Sequence, residues 1–277
     1  MLAQEFVRNA LLGGSFIAIA CGLVGYFVVL RSQVFAGDAL SHVSFTGALA
    51  AAAVGLDLRV GLFAATAVVA LLLASLGRRA HADDVTIGTI FAWVLGLGAF
   101  FLDIFNSGSA GASGITGSRA LFGSIFALSG GAAQLAAVVA LAIILTIGII
   151  ARPLLFASVD PVVALARGVP VRTLGTVFLV LIGLVAAEAT QAVGALLLLG
   201  LLAAPAGAAY RLTPNPYLGL TISALLALLS MWIGITLSYQ VPSLPPGTAI
   251  IAVASAFYLA AFLATSRRGG SHLASSA

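Results

Sequence analysis

The chain has 277 residues, of which 62% are hydrophobic and 7% charged, against about 25% charged in a soluble domain; its mean hydropathy is +1.20. This composition excludes a water-soluble fold. The net charge of +4 does not point to nucleic acid, because every basic residue is arginine and the arginines punctuate apolar runs instead of forming a patch. Cys21 is the only cysteine, so neither an intrachain disulfide nor a cysteine-built zinc cage is available, and the redox compartment stays open.

Uncharged runs of 18 residues or more recur along the chain, the length needed to cross about 30 Å of hydrocarbon. In chain order they predict nine spans, over 10–30, 34–55, 60–77, 85–105, 132–151, 173–190, 192–210, 214–238 and 248–266. Eight or ten remain compatible, since only Glu188, Thr190 and Gln191 interrupt 173–210. The first run is too long, and followed by too many others, to be a signal peptide. The expected fold is therefore all-α, a polytopic membrane helix bundle. A single transmembrane domain fills 1–268, and a short disordered polar tail fills 269–277.

The arginines give this arrangement an orientation. Nine of them (Arg31, Arg78, Arg79, Arg152, Arg167, Arg172, Arg211, Arg267 and Arg268) fall on one side of the nine spans and three (Arg8, Arg59 and Arg119) on the other. The positive-inside rule then places the C-terminus and the 152–172 connection in the cytoplasm and the N-terminus outside. The Gly/Ser-rich connection over 106–131 becomes an external loop, with 121–128 re-entering as a short helix.

In the second span, Asp38 and His42 share one helical face a turn apart, with Cβ atoms roughly 6 Å from each other. A charge in hydrocarbon costs at least about 2.5–3.5 kcal/mol, so such a pair signals function. A carboxylate oxygen and an imidazole nitrogen suit a borderline divalent cation such as Zn²⁺ or Mn²⁺, and the hydroxyls of Ser41 and Ser44 lie nearby. The alternative is structural: Asp38 caps the second helix while His42 bonds a neighbour. Two ligands are also only half a site.

Glu188, at the junction of the sixth and seventh spans, is either a buried third metal ligand or a surface residue at an outer helix end; the junction favours the surface. Pro205 interrupts the seventh span and kinks it, shaping a pathway or fixing packing. His81, Asp83 and Asp84 form a second acidic and imidazole cluster, which reads as a polar turn with a helix cap or as a metal handle.

The run from Asp160 to Arg172 differs in kind. A capping Asp160 followed by Pro161 starts a short helix, and Gly168 with Pro170 ends it. Such a helix in a cytoplasmic connection either docks a soluble partner or rests on lipid headgroups. No Walker A loop, His-Glu-x-x-His pair or nucleophile elbow is present, so ATP hydrolysis and these hydrolytic chemistries are not expected of this chain.

Four stretches together resemble one family, the membrane permease subunits of bacterial ABC importers for zinc and manganese. They are Phe27 to Gly47, with Gly37-Asp-Ala-Leu-Ser-His42 at its centre; Asp84 to Gly88; the helix from Asp160 to Gly168; and Gln191 to Ala206, with Val193-Gly-Ala-Leu-Leu and Pro205-Ala. The resemblance implies an ABC importer permease that works with a second copy of itself, a cytoplasmic ABC ATPase dimer and an extracytoplasmic metal-binding protein, in the bacterial plasma membrane. It implies no intrinsic cofactor, with Zn²⁺ or Mn²⁺ as cargo, and no nucleic-acid partner. Asp38 and His42 match the family's pathway ligands, while Gly37, Ser41 and Pro205 are candidates for shaping that pathway. Asp160, Pro161, Ala164, Arg167 and Gly168 match its ATPase-coupling helix. The Gly/Ser-rich segment 106–118 departs from the family's pattern. Two other functions compete: a stand-alone secondary transporter or channel using Asp38 and His42 as a cation or proton relay, and an ABC permease for a bulkier substrate.

Overall fold

The structure is a computed structural model that describes residues 4–77, 84–108, 123, 125–241 and 243–274. These residues form ten α-helices, α1 (Glu5–Leu30), α2 (Val34–Ala53), α3 (Leu58–Leu76), α4 (Asp84–Gly108), α5 (Gly130–Val159), α6 (Pro161–Ala166), α7 (Val171–Ala192), α8 (Leu198–Leu212), α9 (Pro216–Gln240) and α10 (Pro246–Ala274), with a 3₁₀ turn at Ile125–Ala127. Each of the nine expected spans corresponds to one of the long helices, and α6 is the expected short one. Seven helices are long and apolar enough to cross a membrane. The remaining two depart for physical reasons: α2 carries Asp38, His42 and several hydroxyls, and α8 has only 15 residues.

Some boundaries move. The fifth span does not stop at Arg152 but continues as helix to Val159 with Pro153 inside it. A membrane helix tolerates such a proline where neighbouring groups accommodate the freed carbonyl. The expected external loop also shrinks, because 106–108 belong to α4 and Ile125 is fully buried against Gly14 of α1. Residues 109–122, including most of the 106–118 segment, lie outside the described residues.

Helix α1 is the hub, packing on α5, α7, α8 and α9, while α2 packs on α3, α4, α7 and α8. Two-thirds or more of the apolar windows of α1 and α7 are buried, against 17% for α4 and 28% for α3 and α10. The central helices therefore face protein and the peripheral ones lie open at the rim. Between lipid-like side chains there is little hydrophobic drive for association, so close approach and interhelical hydrogen bonds must carry it. Both are present. At the α2–α3 crossing, a Cβ on Gly47 would strike the Gly61 carbonyl and a Cβ on Gly61 would strike the Gly47 carbonyl. Ser223 of α9 donates to the Gly22 carbonyl of α1 at 2.6 Å, and Thr46 of α2 donates to the Val94 carbonyl of α4 at 3.1 Å.

The chain breaks helix between α7 and α8, over 193–197. Val193 and Gly194 still donate to Ala189 and Thr190, then Gly194 turns to φ +96° and its carbonyl accepts from Leu198 as α8 begins. Helix α8 spans only about 22 Å, short of the roughly 30 Å of a bilayer core. Non-helical backbone at that depth is stable only inside protein, and Val193, Gly194 and Ala195 are indeed buried.

Candidate functional site

The turn before α2 is tight: Arg31 donates from its backbone to Phe27, and Gln33 to Val28. Helix α2 then starts at Val34 with Gln33 at its cap position. Asp38 is therefore the fifth helical residue and not the cap, which corrects the structural alternative. Asp38 and His42 are half-buried, and neither side chain hydrogen-bonds another described residue. The carboxylate and the imidazole are thus left without a hydrogen-bond partner among the described residues.

Three helices wall this turn. From α4, Phe91 meets the His42 ring edge-on at 5.2 Å and Phe35 at 5.9 Å. From α8, Leu202 closes on Gly37, where an added Cβ would lie 2.8 Å from its Cδ2, with Ile182 of α7 3.8 Å away. Leu202 also reaches α1, where a Cβ on Gly25 would strike its carbonyl. Pro205, buried in α8 one turn on, cannot donate to the carbonyl of Leu201. Ser41 ties α2 to the helix break: its hydroxyl lies 2.7 Å from the Asp38 carbonyl and 3.1 Å from the buried Ala195 carbonyl. Gly37 and Ser41 thus sit where α2 meets α8 and the break, and Pro205 lies one turn along α8 from Leu202.

Glu188 is 2% exposed, which corrects the surface reading, and both its carboxylate oxygens are buried without a hydrogen-bond partner. Ala187 beside it packs with Ala48 and Leu62, so Glu188 stands near the seam of α2, α3 and α7. It does not complete a cluster with the pair. Among the described residues no three His, Cys, Asp or Glu side chains come together as a metal-holding group. One chain offers one carboxylate and one imidazole, which hold a divalent cation only with donors from elsewhere.

At the far end of α5, the local signals at Asp160 all register. Its Oδ1 accepts from the amides of Val162 and Val163 at 3.1 and 2.9 Å, with Pro161 in the first turn of α6. Arg167 caps the other end, and Gly168 at φ +80° lets Gly168 and Val169 donate to the carbonyls of Leu165 and Ala164, a Schellman closure. Ala164 is fully buried and anchors the helix, while Val162 (63%) and Leu165 (58%) stand exposed beside Arg167. A cavity of about 270 Å³ next to them is lined by Gly77, Pro161, Leu165, Val171 and Arg172. This six-residue helix thus turns apolar side chains outward at the end of the bundle, beside Arg167 and Arg172.

A family model described as the ABC 3 transport family matches residues 3–265. The chain belongs to that family. It is 30% identical over 272 residues to the manganese transport system membrane protein MntC of Halalkalibacterium halodurans, covering 97% of this chain and 90% of that one. It is also 30% identical to the manganese import system permease protein ScaB of Streptococcus parasanguinis, covering 98% and 95%. Among solved structures it is similar to PsaBC from Streptococcus pneumoniae in complex with Fab, with a TM-score of 0.80, 28% identity, and coverage of 94% and 91%. The family and the likeness in fold agree with the expected ABC permease architecture.

In this ABC 3 family member some features escaped the sequence. The break at 193–197 falls inside the expected seventh span over 192–210, and the bond of Ser41 to the Ala195 carbonyl follows from it; Gly194, three residues after Gln191, was the available signal. Phe91 carried no signal, since one more aromatic in an apolar span is unremarked. Of the second cluster, Asp84 is the exposed first residue of α4, and His81 and Asp83 lie outside the described residues.

Proposed function

We propose that this chain is the membrane permease subunit of an ATP-driven importer of a divalent metal ion, manganese or zinc. The observation that carries the reading is the Asp38–His42 pair, one turn apart on a helix enclosed by α4, α7 and α8, with neither side chain hydrogen-bonded to another described residue. The names of the relatives favour manganese, and a carboxylate with an imidazole accepts either metal.

In this reading Asp38 and His42 hold the ion transiently, and further donors come from Glu188, water or a second copy of the chain. An incomplete set suits a conduit, because a cation held by a full cage is released slowly. The exposed apolar face of α6 docks on a separate cytoplasmic ABC ATPase dimer, and an extracytoplasmic metal-binding protein delivers the ion. The arginine distribution supports a plasma-membrane subunit with its C-terminus in the cytoplasm. ATP hydrolysis belongs to the partner chain.

The test is radiolabelled Mn²⁺ and Zn²⁺ uptake into proteoliposomes containing the permease, its ATPase and its binding protein. Asp38→Ala and His42→Ala are each expected to bring uptake to background while the complex still assembles. Uptake that persists in both variants would sink the ligand assignment and favour a bulkier substrate. ATP-independent uptake by the permease alone would favour a stand-alone transporter instead.

A further inference from the structure

The end of α1, the last turn of α5 and the first half of α7 meet at one side chain. Arg31 donates from Nη1 to the Ser158 hydroxyl, 127 positions away, at 3.4 Å. Its guanidinium carbon lies 5.5 Å from the centroid of the Phe178 ring. That ring is fully buried and packs edge-on to Phe27 at 6.0 Å, so the cation rests on an immobile surface. The Arg31 Nε is buried with no acceptor. An arginine serving only as a topology marker extends its charge into water or headgroups; this one turns inward and desolvates part of its guanidinium.

The two partners lie on either side of α6. Ser158 precedes the Asp160 cap by two residues, and Phe178 is in the second turn of α7, which starts at Val171 directly after α6 and its closing residues. In the other direction Arg31 belongs to the turn that launches α2. Ser32 follows it at φ +54°, a conformation that a residue with a side chain rarely takes, so the joint is a defined shape and not slack chain. Three residues after Arg31 α2 begins, and Asp38 lies on its second turn.

We propose that Arg31 is a positioning residue that couples the α5–α6–α7 end of the bundle to the start of α2, so that displacement of α6 moves Asp38 and His42. This rests on the reading of α6 as the ATPase contact and of Asp38 and His42 as ligands. The grip depends on a planar, multidentate cation lying on a ring, which lysine does not reproduce.

The test has two readouts: Mn²⁺ taken up per ATP hydrolysed in proteoliposomes holding the complete complex of permease, ATPase and binding protein, and Mn²⁺ bound by the detergent-solubilised permease–ATPase complex without binding protein or nucleotide. Arg31→Ala is expected to lower uptake per ATP by about 3- to 30-fold, the range for residues along a coupling route, with Mn²⁺ binding and basal hydrolysis unchanged. Arg31→Lys, which keeps the charge, is expected to fail to restore coupling; Phe178→Leu and Ser158→Ala are expected to give smaller losses of the same kind. Unchanged uptake per ATP in Arg31→Ala, full rescue by lysine, or loss of binding in parallel with uptake each overturns the proposal. Should Arg31→Ala not assemble, Phe178→Leu and Ser158→Ala decide, and normal coupling in both overturns it. Retained binding and uptake in Asp38→Ala would remove the ligand assignment instead, a separate outcome.

Discussion

In α6 every determinant lies within about ten residues: the Asp160 carboxylate caps it, Pro161 starts it, and Gly168 closes it through two amides. The Asp38–His42 turn of α2 is built the other way. It supplies the carboxylate and the imidazole, and the side chains and carbonyl that close around them arrive from far along the chain, Phe91 from α4, Ile182 from α7, Ala195 from the break and Leu202 from α8. A short helix built from local rules can be presented at the end of any bundle. A pocket assembled from five separated segments responds to how those segments move, which is what the proposed conduit for an ion would require.

Changes that sharpen this contrast can be ranked by size. Gly47→Val forces a branched side chain into the α3 backbone, beyond the 1–3 kcal/mol of about one extra methylene in a core; the expected outcome is loss of monodisperse protein on size-exclusion chromatography, and a normal profile would deny the close crossing. Val162→Asp with Leu165→Asp puts charges on the exposed face of α6, with an expected loss of at least about 2 kcal/mol of ATPase affinity as at an interface hot spot. Co-purification should fall while the melting temperature of the isolated permease holds.

Asp160→Ala removes one cap and is expected to cost about 1 kcal/mol, confined to α6; hydrogen exchange should quicken over 161–168 and nowhere near α2. Ser41→Ala removes a single interhelical bond, worth about 0.6 kcal/mol on average between membrane helices. Its small effect should nevertheless appear more than 150 positions away, as faster exchange over 193–198. Exchange that changed only around residue 41 would mean that the break is held by other contacts.

This same division decides what could be read in advance. The spans were legible because a bilayer imposes a length, and the arginines sort to one side of nine segments. The short helix was legible because capping is local chemistry. Glu188 was not: lipid and protein interior are equally apolar, so hydrophobic patterning does not say which face of α7 is enclosed, and a carboxylate near a helix end looked like a surface residue. The break at 193–197 was hidden for a related reason. Its residues are as apolar as those of the helices they join, and only Gly194 marks the change of direction. Asp38 and His42 were conspicuous because ionisable groups are scarce here, yet their walls were invisible, since the residues that form them are ordinary Phe, Leu and Ile.

The interlocked glycines of α2 and α3 have a mechanical consequence. With Gly47 and Gly61 backbone to backbone, there is no side chain at the crossing to change rotamer and absorb a displacement. The crossing therefore fixes the spacing of the two backbones at this point. Asp38 and His42 lie between this crossing and the Ser32 joint, so a rotation of α2 about the crossing would carry both side chains with it.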